Sequence, residues 1–486
     1  MVYVSKLDDL RGKIFNFFKG RKLNVVIFLL FIISSIFISL KHEPWADEAQ
    51  SWLIARDASF KELFTDILHS EGHPVLWYIV LKIFELFGLE YENMGIISII
   101  FSSIAIVIFL EKSNFKWYFK ILVPFSYFIF FQYTVIVRGY SLIFFLISIL
   151  ACIWKNRDKH YIAFTSVLIL LINLEVHTFL LVVGICSYLF LELVYNRKSY
   201  SKEKIIRKII VLAVTAIALV ITTIYVFPRE TNTFAAKNNY NYLMSDSFLT
   251  IFNVKYVVVK YIFSAVIVGM IVFACEENKD AIMHFSLFIL PCAFFLYVKY
   301  CNLWHLGIIF IYFLFVVWIN KLDKNKYIDM LLLVTLVVQF IFTISASIYD
   351  YNYKYSKAYD VAEIIKSLNY DEIKIFALDY DEVAINAYFE KNIFSNWNEK
   401  YGFFYWSKES NYYNHDYSEE YIKSENPEII IYSRAIPKIQ SEKFEEYNVY
   451  EFEAYTYAEM GIYEDKSIVM LIRKDVDIIH ENERIE

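Results

Sequence analysis

The chain has 486 residues, 58% of them hydrophobic and 19% aromatic, interrupted by only 11 Gly and 7 Pro. Apolar residues make up about half of a soluble globular chain; here the excess falls in blocks long enough to cross a hydrocarbon layer, which takes about 20 residues per helix. Charge is uneven: residues 349–486 hold 29 Asp and Glu against 15 Lys and Arg, a net of −14, leaving 24 against 32 upstream, a net of +8. A tail of that sign excludes nucleic acid and anionic headgroups as its partners, since both demand basic surfaces.

In chain order, Lys6, Arg11, Lys13, Lys19, Arg21 and Lys22 precede the apolar run NVVIFLLFIISSIFISL (24–40). No small-x-small cleavage site follows, so the run reads as a signal anchor with a cytoplasmic N-terminus. Further apolar blocks cover 74–88, 94–110, 118–136, 139–154, 161–176, 178–195, 207–227, 254–274, 282–300, 303–320 and 327–347. The five cysteines lie in or beside these blocks, which implies no disulfide framework. Lys and Arg in short connections set orientation. KNRDK (155–159), RKSYSKEKIIRK (197–208) and NKLDKNK (320–326) all become cytoplasmic if the chain crosses eleven times and block 74–88 does not span. That block is short and contains Lys82 and Glu85, which suits an interfacial or re-entrant helix; counting it and a neighbour raises the crossings to twelve or thirteen.

Beyond residue 348 the apolar runs shorten to strand length in IKIFALD (373–379), PEIIIYS (427–433) and SIVMLIRK (467–474), while 359–368 and 382–394 keep helical spacing. The expected fold class is therefore an α-helical polytopic membrane protein with a C-terminal extracytoplasmic α/β domain. The expected domains are residues 1–348 in the membrane, with a first outer loop at 42–93, and a soluble domain at 349–486, in a multi-pass protein of the cell membrane.

Polar residues gather where the blocks leave the bilayer on the outer side. HEPWADEAQSWLIARD (42–57) sets Asp47 beside Glu48 at the rim of the first span, and SEGHPVLWY (70–78) brings His73, Pro74 and Trp77 to the same interface. IVRGYSL (136–142) puts Arg138 and Tyr140 at another outer mouth. Charge at a membrane is costly unless it is solvated, paired or used. A carboxylate can take a proton from a hydroxyl or amine nucleophile, and a guanidinium can grip a phosphate in two places. Acid plus phosphate clamp points to group transfer from a lipid phosphate. Glu175 with His177, and Lys299 with Trp304 and His305, bracket two further outer turns and are candidate substrate contacts. His69 and His73 stand at i and i+4, the helical spacing of two metal ligands, although Gly72 and Pro74 break a regular helix there. A divalent metal is compatible with these residues; no other cofactor is called for. The aromatics of FFYWSKESNYYNHDY (403–417) offer stacking faces for sugars or packing for the domain core.

In that order a basic N-terminus, one span, an Asp-Glu pair, an amphipathic helix and Gly-His-Pro before an apolar helix resemble the integral-membrane glycosyltransferases of the GT-C fold. The matching elements are ADEAQSWLIARD (46–57), EGHPVLWYIVLKIF (71–84), IVRGYSL (136–142), NLEVHTFLL (173–181) and NLWHLGIIFIYFL (302–314). They lie nearest to the protein mannosyltransferase and aminoarabinose transferase group and its RgtA-like bacterial relatives. The resemblance covers residues 20–320 and implies a sugar donor on polyprenyl phosphate and a glycan, lipid or protein acceptor. It also implies Asp47 as base, Glu48 assisting or orienting it, Arg138 and Tyr140 on the carrier phosphate, and His73 shaping the acceptor side. Ala46 and Val75 depart from the family's pattern, in which a polar residue precedes the acids and a second proline follows His-Pro. The rival readings are a transporter or lipid flippase, and a silent scaffold with an outward binding domain.

Overall fold

The computed structural model describes residues 21–233, 243–250, 257–276, 278, 280–287, 302–368, 370–397, 400–415, 417–435, 437–459 and 462–476. The chain is mostly helical. In chain order, the helices that matter here are α1 (Arg21–Ser39), α2 (Ala46–Asp57), α3 (Leu76–Leu86), α4 (Gly95–Lys112), α5 (Tyr140–Ile153), α6 (Thr178–Asn196), α7 (Leu303–Asn320) and α8 (Lys326–Asn352). Two compact units result, one from Met1–Leu40, Ile96–Thr222 and Ala236–Ser347, the other from Lys41–Gly95, Thr223–Ala235 and Ile348–Glu486.

Among the described residues, seven helices are long and apolar enough to cross a membrane, and Tyr140–Asn156 and Tyr161–Ile172 are shorter apolar helices. In α1 the sequence explains the surface it makes. Leu23, Ile27, Phe31, Ser35 and Ile38 recur every three or four residues and are buried, while Leu29, Ile33 and Phe37 on the remaining surface are apolar yet exposed. A helix apolar on every side belongs in lipid or a deep core.

The first unit has two chemically distinct ends. Tyr140 meets His305 at a ring separation of 6.1 Å, and Trp154 meets Phe315 at 5.4 Å, so α5 and α7 run parallel. The starts of these helices therefore share one end, and their finishes share the other. At the finishing end the basic connections are tied together: Arg157 to Glu192 (2.7 Å), Lys208 to Glu192 (2.7 Å) and Asp158 (3.0 Å), and Lys116 to Asp329 (2.5 Å). Block 118–136 is not one helix. Pro124 interrupts it after Trp117–Leu122, and Phe128–Val135 continues as a wide helix with i→i+5 bonds, such as Ile136 N–H to the Phe131 carbonyl at 3.1 Å.

The second unit holds a four-stranded sheet in the order β1 (Ile375–Ala377), β2 (Ile429–Ser433), β6 (Ile468–Arg473), β3 (Tyr447–Phe452), and a hairpin of β4 (Tyr455–Glu459) and β5 (Ile462–Asp465). β1 and β2 are parallel, with Ile375 opposite Ile429; the other sheet pairs are antiparallel. Strands β1 and β2 are buried throughout and β6 nearly so, while β3, at the sheet edge, is buried only at Tyr447. The helix expected over 382–394 shrinks to Val383–Asn386. Asn386 is the reason: its amide group donates to the Gly402 carbonyl (2.7 Å) and its oxygen accepts from Ile393 N–H (3.1 Å), offering the backbone partners that a helix would have supplied. Helix α3 has 11 residues, and at 1.5 Å per residue it is too short to cross a bilayer as a straight helix.

Candidate functional site

In the second unit the site is built around the first turn of α2. Trp45 is the residue before the helix, and the Glu48 carboxylate reaches back to accept its N–H at 3.1 Å. The same Glu48 oxygen lies 3.1 Å from His42 Nε2, and His42 Nδ1 lies 3.1 Å from both oxygens of Asp350. All three side chains are buried, the imidazole at 2% exposure and the carboxylates at 0%. Burial alone would lower the His42 pKa, but the Asp350 and Glu48 charges outweigh it and hold the ring well above its usual range. An imidazole flanked by carboxylates at both nitrogens is an imidazolium, the only form with two N–H donors.

This arrangement separates the two adjacent acids. Glu48 is consumed by the helix cap and by His42. Asp47 is half-buried and accepts a hydrogen bond from the Tyr380 hydroxyl at 3.0 Å. The Tyr380 ring is itself packed against Trp406 (5.0 Å) and Phe404 (5.8 Å). One turn along α2, Gln50 clasps the Phe404 backbone, donating to its carbonyl at 2.7 Å and accepting from its N–H at 2.9 Å. Its amide also donates to Glu71 at 2.8 Å. Burial pushes the Glu71 carboxyl up to about 7, with the Asp47 charge acting in the same direction and Gln50 and His73 opposing it. Gly72, at φ +69°, ends the short helix Leu68–Glu71, so His69 and His73 do not share a helix face. His69 Nδ1 instead meets the Phe227 carbonyl at 2.8 Å.

In the first unit a second cluster sits where α5, α6 and α7 begin. Arg138 follows the wide helix, and its guanidinium carbon lies 5.4 Å from the Tyr140 ring centre and 5.0 Å from that of Trp304. Tyr140 stacks on Tyr133 at 5.0 Å, and the Tyr133 hydroxyl donates to the Trp304 carbonyl at 2.5 Å. His305 stacks on His177 with centroids 3.6 Å apart and planes 18° from parallel. His177 Nδ1 lies 3.4 Å from the Glu175 carboxylate. The α7 entry is capped by His305, whose Nδ1 accepts the Asn302 N–H at 2.8 Å, while Trp304 Nε1 points at His305 Nε2 from 3.1 Å.

Of the residues singled out from sequence, Arg138, Tyr140, Glu175, His177, Trp304 and His305 come together at one end of the first unit. Asp47, Glu48 and His73 belong to the second unit. Lys299 lies outside the described residues. Sequence reasoning passed over His42, Asp350, Tyr380 and Glu71. Two of these stood inside quoted motifs, His42 in HEPWADE and Glu71 in EGHP, and a charged or titratable residue beside a membrane rim was signal enough to mark them; Asp350 and Tyr380 carried no local sign. Compared with known proteins, the chain matches no family model and no curated protein.

Proposed function

We propose that this chain is a GT-C type glycosyltransferase of the cytoplasmic membrane that moves a sugar from a polyprenyl-phosphate donor to an acceptor on the outer face. The observation that supports it most is the division of labour between Asp47 and Glu48. One acid is locked into the helix cap and a buried imidazolium, and the other is half-buried and accepts from the Tyr380 hydroxyl. That is how a base is held in place by a neighbour that does no chemistry itself. In this reading Asp47 takes the proton from an acceptor hydroxyl or amine. The acceptor atom bonds to the anomeric carbon as the bond from that carbon to the phosphate oxygen breaks, and the phosphate leaves with both electrons. Arg138, braced by Tyr140 and Trp304, stabilises the charge on the departing phosphate. One displacement inverts the anomeric centre.

The fuller membrane topology belongs to the same proposal: about eleven crossings, the N-terminus and the ion-paired basic end of the first unit in the cytoplasm, and the second unit outside. Membranes supplied with labelled polyprenyl-phosphate sugars test it. A labelled product formed by wild type should fall by about 10²- to 10⁴-fold in Asp47→Asn while the protein stays inserted. Unchanged transfer in that variant would end the reading.

One feature favours a transporter instead. Asp246 and Lys260 form a buried pair at 2.8 Å among apolar helices, where charge marks ion or substrate paths in pumps. Substrate uptake into vesicles that is abolished by Asp246→Asn and indifferent to Asp47→Asn would support that alternative.

A further inference from the structure

We infer that Glu175, His177 and His305 form a divalent-metal site of the zinc class in the first unit. Each offers one ligand atom, and these atoms lie within 4.8 Å of one another. Glu175 and His305 are buried and His177 is half-buried. Two imidazoles and a carboxylate are the donor set of hydrolytic zinc centres, which keep one position open for water or substrate. Two donors that each bind a tetrahedral zinc at about 2.1 Å stand about 3.4 Å apart, and the Glu175 oxygen and His177 Nδ1 are 3.4 Å apart.

The stacked rings need a defined adjustment. Ligation by both requires their centroids to part from 3.6 Å by about 1.5 Å, so that the lone pairs converge in place of the faces. His305 also faces two N–H donors, Asn302 at Nδ1 and Trp304 at Nε2, although a neutral imidazole accepts at only one nitrogen. Coordination through Nε2 turns Trp304 aside and moves the ring proton to Nδ1, releasing the Asn302 cap. One sound hydrogen bond and one already compromised are exchanged for a coordinate bond. The fourth position would take a phosphate oxygen of the donor, a clause that rests on the transferase reading. Arg138 over the Trp304 ring favours that anion beside the metal.

Cobalt(II) reports the site without any assay of transfer. The full chain in detergent, stripped with chelator, is titrated with cobalt chloride and followed by visible absorption, then back-titrated with zinc chloride. One equivalent should give the bands of a tetrahedral or five-coordinate nitrogen-oxygen site, and zinc should abolish them. Glu175→Gln, His177→Ala and His305→Gln should each weaken binding by about 100-fold or more. His305→Gln matters most, because a glutamine three residues after Asn302 can keep the helix cap and so leaves the fold intact while removing the imidazole. Absence of saturable cobalt binding in wild type, or equal binding in folded His305→Gln, would overturn the site. Inorganic phosphate should tighten cobalt binding; no effect would remove the open phosphate position. Cobalt bound as described with no transfer from any polyprenyl-phosphate sugar would leave the metal site standing and the transferase reading fallen.

Discussion

At the scale of single residues, His42 decides what Glu48 can do. Its raised pKa means that the protonated ring stabilises the folded second unit; the contribution is complete below the unfolded value of about 6.5 and is lost as pH climbs through the raised folded value. Wild type should therefore lose stability on the alkaline side. His42→Gln should lower stability near pH 6 by about 3 kcal/mol, because two buried carboxylates lose their counter-charge, and should flatten the alkaline decline; unfolding followed by tryptophan fluorescence across pH checks both. Glu71 acts in a different window. Its carboxyl, raised from 4.5 to about 7, ionises earlier in the unfolded chain, so stability falls between those two values and stays lower above them. Glu71→Gln should remove that fall and gain up to roughly 3 kcal/mol at pH 8. A pH profile that keeps its slope between 4.5 and 7 in the variant would show that Glu71 is not its source. Asp47 and Glu48 were legible in the sequence as a pair because adjacent acids at a bilayer rim are conspicuous. Their separate duties were not, since these depend on Asp350, 308 residues from His42.

Among elements, several long apolar blocks were readable almost to the residue, whereas block 118–136 is broken and residues 288–300 of block 282–300 lie outside the described residues. The block at 303–320 is α7, and 327–347 lies within α8. The strands expected at 427–433 and 467–474 became β2 and β6, because continuous apolar runs of that length fit a central strand. What periodicity missed was local hydrogen bonding. The wide helix at 128–135 has the same composition as an ordinary one, and such helices often accompany functional sites; here it delivers Tyr133 and then Arg138. Its packing depends on Gly307 of α7, where an added Cβ would stand 2.6 Å from a Phe128 ring carbon and strike the Tyr133 hydroxyl. Gly307→Ala should destabilise the first unit by about 1–3 kcal/mol and loosen the Tyr133 bond to Trp304. Thermal unfolding in detergent reads the first effect, and in the proposed function a raised donor KM reads the second.

Across the whole chain, composition suggested a division at residue 348, while the second unit gathers three separate stretches, the last of them starting at Ile348. That Lys41–Gly95 folds with the tail was not legible, because the contacts are long-range and individually ordinary. They are many: Arg56 donates to the Phe389 carbonyl (2.5 Å), Asp57 accepts from Gly402 N–H (2.6 Å), and Glu43 accepts from Tyr359 N–H (2.9 Å) and pairs with Lys354 (3.0 Å). Residues 349–486 expressed alone should accordingly be protease-sensitive and expose apolar surface, whereas supplying 41–95 in the same polypeptide should restore resistance. An isolated tail that resists protease as the full chain does would contradict a shared core.

Ribosomes add an order to these partnerships. The acidic stretch around Glu43 and Glu48 emerges early, and Lys354 and Asp350 follow about 300 residues later, which at 5–20 residues per second is on the order of half a minute. Until then the nascent loop has a charged histidine site without its second acid and a glutamate without its lysine. Such a segment invites quality-control factors, and slowing elongation between residues 95 and 348 should lengthen the interval during which they can capture it.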